Sequence, residues 1–120
     1  ITGTNGKTTT TTLVGEIMKA AAAGKNAECS EESGSKNCSG DGGSGKSDDS
    51  TPKVFVVGNI GRSYAAAATE TEQDSWTVGE ISSFQLEAAD TFRPHVSAIL
   101  NITPDHLNRH YTMLNYAAIK

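Results

Sequence analysis

Ile1-Thr2-Gly3-Thr4-Asn5-Gly6-Lys7-Thr8-Thr9-Thr10 opens the chain and decides how the rest is read. Two glycines three residues apart run into Lys and Thr, and a helical pattern follows at once. Glycines let backbone N–H groups turn inward on an anion and let phosphate oxygens approach the main chain. A helix starting near Lys7 adds unpaired N–H groups and the positive end of its dipole. From that position the Lys7 ammonium reaches outer phosphates and the Thr8 hydroxyl is placed to ligate Mg²⁺. The match to G-x-x-x-x-G-K-[ST] is incomplete, because the first glycine falls at Ile1. A Gly/Thr-rich turn capping an ordinary helix is the competing interpretation.

Downstream, Leu13, Ile17, Ala20 and Ala21 recur at helical spacing with Val14 and Met18 beside them. This predicts a helix over residues 8–23 with Gly24 as its C-cap. Threonine is a poor helix former, so the Thr run at 8–12 points to a use for hydroxyls near the helix start. Residues 25–53 are dominated by Ser, Gly, Asp, Glu, Asn and Lys without a hydrophobic period, which predicts a flexible insertion. Gly45-Lys46-Ser47 within it imitates a phosphate-loop ending, but no strand precedes it and no helix follows. Cys29 and Cys38 fit no zinc spacing and read as incidental.

Order returns at Val54-Phe55-Val56-Val57, a buried strand followed by a Gly58-Asn59-Ile60-Gly61 turn. Arg62 to Thr71 is Ala-rich and helical in pattern. Trp76 to Ile81 is the next strand, with a short helix from Phe84 to Ala89. Val96 to Ile102 has the plainest strand pattern of all, with Thr103-Pro104-Asp105-His106 as its exit loop. Met113 to Lys120 begins another helix. Strands alternating with helices predict an α/β fold, a P-loop-type and mostly parallel sheet with flanking helices. Ligands of such sheets gather at the carboxyl ends of the strands. Gly3 to Thr8, Asn59, Glu80 to Ser83 and Asn101 to His106 all fall there.

The bulk numbers fit one small domain. The chain has 120 residues and a net charge of −4, so nothing suggests a nucleic-acid or membrane surface. No apolar run approaches the length of a membrane span. Glu80 sits in an apolar strand context, where a carboxylate costs several kcal/mol unless paired or bound to a cation. It is either a Mg²⁺ ligand or a solvated strand-end carboxylate. His106 follows a strand directly and could serve a metal or simply form a structural hydrogen bond; His95 and His110 read as structural. Asp105 could orient a histidine or hold a metal-bound water, and Arg109 could reach phosphate.

Together these residues resemble a family. Gly3-Thr4-Asn5-Gly6-Lys7-Thr8-Thr9 resembles the nucleotide loop of the Mur ligases, and Asn101-Ile102-Thr103-Pro104-Asp105-His106-Leu107-Asn108-Arg109-His110 resembles their second signature. Gly58-Asn59-Ile60-Gly61 with Glu80-Ile81-Ser82-Ser83-Phe84-Gln85-Leu86-Glu87 is similar to the branch that adds D-glutamate. The resemblance implies a partial central ATPase domain over residues 1–120, without the UDP-binding and C-terminal domains, and so a piece inactive alone. It implies an ATP-dependent acid–amino-acid ligase of peptidoglycan synthesis acting through an acyl phosphate. ATP phosphates would sit on Gly3, Thr4, Asn5, Gly6, Lys7, Thr8 and Thr9. Thr8 and Glu80 would hold the first of two Mg²⁺ ions, with His106 and a carbamylated Lys120 at the second. A carbamate makes chemical sense: a free lysine is a cation at neutral pH and repels a metal, whereas the carbamate is an anionic oxygen ligand. Lys7, His106 and Lys120 would be the catalytic set. Asn59, Ser82 and Gln85 would lie near UDP-N-acetylmuramoyl-L-alanine, with D-glutamate as second substrate. A monomer in the cytoplasm, or in a plastid stroma, completes the expectation.

The pattern departs from the family at Val57, usually Gly, at Gly79, usually Val or Leu, and in the length of residues 25–53. A folylpolyglutamate synthase-like ligase shares Gly3 to Lys7, but Ser82 to Glu87 argues against it. A P-loop nucleotide-binding module without ligase activity has no need of the His106 to Lys120 segment.

Overall fold

A computed structural model describes residues 1–28 and 51–120, the first 24 and the last 70 of them with their side chains. The expected insertion, its Gly45-Lys46-Ser47 tripeptide, Cys29 and Cys38 therefore lie almost wholly outside the described residues. Among the described residues seven elements follow in order: α1 (Lys7–Glu28), β1 (Val54–Gly58), α2 (Tyr64–Ala68), β2 (Trp76–Glu80), α3 (Ser83–Glu87), α4 (Leu107–His110) and α5 (Met113–Ile119). The fold is α/β, a small parallel sheet with flanking helices.

The strands β1 and β2 pair in parallel, Val54 opposite Trp76 through Gly58 opposite Glu80. The opening residues extend this sheet past β2. The Ile1 ammonium donates to Gly79 O (2.8 Å) and Ile81 N–H to Ile1 O (3.0 Å). On the far side Thr2 N–H donates to Ala98 O (2.9 Å) and Leu100 N–H to Thr2 O (3.0 Å). Four extended segments thus run side by side in the order 54–58, 76–80, 1–4, 98–101. Their carboxyl ends lie along one edge, and the polar residues are grouped there for that reason.

The expected strand at 96–102 is corrected to an extended segment joined by the single bridge Thr2↔Ile99. Its neighbour in the sheet, Ile1 to Thr4, bends into the glycine loop after a few residues, so no long ladder forms. Val96 remains 84 % exposed.

Helix α1 also corrects two expectations. It passes through Gly24 and ends at Glu28, because an exposed mid-helix glycine costs only about 1 kcal/mol relative to alanine. It packs through Thr11, Gly15 and Ala22, a stripe at i, i+4 and i+11. Leu13 and Ile17 are each 58 % exposed. The cause is close approach: a Cβ on Gly15 would lie 2.4 Å from Val56 Cγ2, so the helix meets the sheet on its smallest face.

Helices α2 and α3 are shorter than their patterns predict, α5 begins at Met113 as expected, and all three start at a hydroxyl cap. Ser63, Ser82 and Thr112 accept from Ala66, Gln85 and Asn115 N–H groups. The Gly79 departure has a steric reason, since the Tyr64 hydroxyl lies 1.7 Å from where a Cβ at 79 would sit. Val57 is fully buried in β1.

Gly58 has φ +114°, and a Cβ there would meet Glu80 O at 2.1 Å. Backbone blocks that site, whereas nothing lies within 4 Å of a Cβ at Gly24. In urea denaturation, Gly58→Ala is expected to lose about 2–4 kcal/mol, and Gly24→Ala to gain about 0.5–1 kcal/mol.

Candidate active site at the carboxyl edge of the sheet

The glycine loop occupies the turn from the first sheet segment into α1. It is tied down by residues a hundred positions away. Asn5 N–H donates to Asn101 Oδ1 and Asn101 Nδ2 donates back to Asn5 O, both at 2.9 Å. Thr4 Oγ1 accepts from Thr103 N–H (3.0 Å), donates to Thr103 O (3.1 Å) and lies 3.1 Å from the Tyr116 hydroxyl. Thr4 N–H donates to Asn101 O (3.0 Å). These contacts shape the loop without using the N–H groups at the start of α1, which stay available to an anion.

Glu80 ends β2 directly opposite that helix start. It is 1 % exposed. Thr8 Oγ1 donates to one carboxylate oxygen (2.8 Å) and Asn59 Nδ2 to the other (3.0 Å). Asn59 N–H also donates to Glu80 O (2.9 Å). Among the described residues no side-chain cation forms an ion pair with Glu80. Burial lowers the Ile1 amino pKa, and Glu80 opposes that shift. A buried carboxylate satisfied by neutral donors, with a hydroxyl on one oxygen, is a donor set suited to Mg²⁺. That ion takes one or two protein oxygens and keeps water and phosphate for its other positions.

Two lysines meet on the other side of the loop. Lys7 Nζ donates to Gly3 O (2.9 Å) and Thr4 O (2.8 Å). Lys120 Nζ donates to the same Gly3 O and to Thr2 Oγ1, each at 3.0 Å, and lies 5.1 Å from the centre of the Tyr116 ring. Burial lowers the Lys120 pKa below 10.5, the Lys7 charge lowers it further, and Asp105 opposes both.

The Mur ligase middle-domain family model matches residues 1–120. The chain belongs to that family. Over 120 residues it is 52 % identical to the UDP-N-acetylmuramoylalanine–D-glutamate ligase of Lachnoclostridium phytofermentans. It is 51 % identical to the protein of that name from Lachnospira eligens and 48 % to that from Alkaliphilus oremlandii. All of this chain is covered in each case, and it spans 20 % of each relative's length.

In this Mur ligase middle domain, Gly3 to Thr9, Asn59 and Glu80 form one connected cluster, and Lys120 joins it through Gly3. His106 stands apart. Its ring lies against Phe84, tilted by 50° with 4.9 Å between centroids, and 3.5 Å from Asp105, about half exposed. Among the described residues no three His, Cys, Asp or Glu side chains group as a metal cage. An unmodified Lys120 is a donor with no lone pair for a metal, so the protein offers Mg²⁺ one ready carboxylate rather than two complete sites. Ser82 and Gln85 close a reciprocal capping box on α3, with Ser82 N–H to Gln85 Oε1 at 2.9 Å and Gln85 N–H to Ser82 Oγ at 3.3 Å. Sequence reasoning missed what Asn101 and Tyr116 do. Nothing local marks either as a clamp on Asn5 or Thr4, since those partners are 96 and 112 residues away.

The folded state lowers the Lys120 pKa, so the unfolded chain binds more protons between that lowered value and 10.5. Stability contributed by Lys120 therefore rises with pH across that window and is depressed below it. Urea denaturation of wild type against Lys120→Met is expected to show this alkaline rise lost in the variant, and the variant gaining relative stability near neutral pH.

Proposed function

We propose that this chain forms the nucleotide-binding part of an ATP-dependent ligase that joins D-glutamate to UDP-N-acetylmuramoyl-L-alanine in peptidoglycan synthesis. The observation that carries the reading is the Thr8–Glu80 hydrogen bond of 2.8 Å, made where the glycine loop enters α1. It puts an anion-binding helix start beside a buried carboxylate, the arrangement a Mg-nucleotide requires. The similarity to D-glutamate ligases from three bacteria supports the D-glutamate assignment.

In this reading the substrate's terminal carboxylate oxygen attacks the γ-phosphorus of ATP. The bond to ADP breaks and an acyl phosphate forms. The amine of D-glutamate then attacks the acyl carbon, phosphate leaves, and a proton passes from nitrogen to solvent. The loop N–H groups from Gly3 to Thr9 hold the phosphates. Lys7 swings from the Gly3 and Thr4 carbonyls to the outer phosphate, an exchange within reach of its flexible stem. Thr8 and Glu80 would hold Mg²⁺, which supplies neutralisation of charge building on the transferring phosphoryl group. Lys120, once carbamylated, and His106 would complete a second metal position. Asn59 orients Glu80 and, with Ser82 and Gln85, borders the sugar–peptide substrate. No side chain needs to become a covalent nucleophile; the protein positions and neutralises. Small-molecule substrates and a cytoplasmic monomer fit this chemistry. Among the described residues no helix is long and apolar enough to cross a membrane.

The test uses full-length protein, UDP-N-acetylmuramoyl-L-alanine and ATP, with D-Glu compared against L-Glu. Phosphate release dependent on D-Glu and stimulated by bicarbonate is expected; equal use of L-Glu would remove the reading. Glu80→Gln keeps the shape and drops the charge. Its kcat is expected to fall about 100-fold or more, equivalent to at least about 2.7 kcal/mol of lost transition-state stabilisation.

A further inference from the structure

His110 is 2 % exposed, yet none of the proposed chemistry uses it. Its Nε2 lies 3.0 Å from Ser83 Oγ, itself 2 % exposed, and its Nδ1 has no hydrogen-bond partner. The ring is stacked between Phe84, 5.6 Å between centroids, and Tyr116, 5.5 Å, at 31° to each. Phe84 carries His106 on its own ring, and the Tyr116 hydroxyl reaches Thr4 of the glycine loop. A buried imidazole with an unsatisfied nitrogen carries a desolvation cost that a phenyl ring of similar shape would avoid. Core packing alone does not require a polar ring here.

The placement shows what the polar atom connects. Ser83 stands three residues after Glu80, at the first turn of α3. His110 closes α4, the helix that His106 opens, and its carbonyl accepts from Asn115 of α5 (3.2 Å). Tyr116 sits one helical turn before Lys120. The Ser83–His110 bond is thus a buried hydrogen bond joining the Glu80 side of the site to the side carrying Asp105, His106 and Lys120.

We infer that His110 is a positioning residue, setting the distance between the two halves of the cation site through Nε2 and Ser83. This rests on the Mg-nucleotide reading above. Removing the bond leaves the glycine loop intact, because Asn101 and Thr103 hold that separately. Metal affinity should therefore suffer while metal-free nucleotide binding does not.

The test is Mn²⁺ titration of the ADP complex of the full-length protein by electron paramagnetic resonance. It is paired with calorimetric ADP binding in EDTA. His110→Phe keeps the stacking and loses the nitrogen. Its Mn²⁺ affinity is expected to drop about tenfold, the low end of the range for groups that support metal ligands, with ADP affinity in EDTA within twofold of wild type. Glutamine places an amide near the Nε2 position and asparagine only near Nδ1. His110→Gln should therefore recover to within threefold of wild type, and His110→Asn should not. Ser83→Ala, a small truncation, should match His110→Phe and keeps the test open if the ring variants misfold. Wild-type Mn²⁺ affinity in Ser83→Ala, equal behaviour of the Gln and Asn variants, or a parallel loss of metal-free ADP binding would each overturn the inference. So would absence of Mn²⁺ binding by the wild type. Ligation is not among the readouts. A protein that binds Mn·ADP as described but does not use D-glutamate would refute the proposed reaction and leave this role standing.

Discussion

A carboxylate buried at the end of a parallel strand is costly to maintain, and Glu80 is kept there by two neutral donors, Thr8 and Asn59. The constraint reaches outward. Asn59 can donate only because Gly58 turns the chain with Glu80 O pressed against the space a side chain would need. Thr8 can donate only because α1 starts at Lys7 and leans its small-residue face on β1. The sheet register, the helix start and the turn after β1 are each needed to satisfy two oxygens. Such concentration of local compromise on one polar group is common where a fold carries a site.

The glycine loop follows the same logic. Its shape does not come from glycines alone, because a flexible loop with free N–H groups would spend binding free energy on ordering itself. Here the ordering is supplied in advance by Asn101, Thr103 and Tyr116. These contacts join the first residues of the chain to the last, and they place Lys120 beside Lys7. Burial is the main cause of the lowered Lys120 pKa, and the Lys7 charge on the same carbonyl lowers it further.

Much of this was legible in the chain itself. The α/β class, two of the strands, the glycine loop and the grouping of polar residues at strand exits all follow from local pattern. Where pattern and structure part, the reasons are tertiary. Leu13 and Ile17 recur at the helical period of α1, but the sheet accepts only the slimmer face through Gly15. Residues 96–102 have the composition of a strand, but their partner segment turns away after Thr4. Gly24 looked like a stop, yet helix geometry tolerates it.

The sequence by itself determined which chemical groups exist and which end of each element they occupy, because both depend on spacing along the chain. Only the tertiary structure decided which groups meet. Thr8 touches Glu80 across 72 residues, Asn5 meets Asn101 across 96, and Lys120 reaches Gly3 across 117, while His106 is turned toward Phe84 instead. Pairings at such separations are set by sheet order and helix packing, and no local period encodes them.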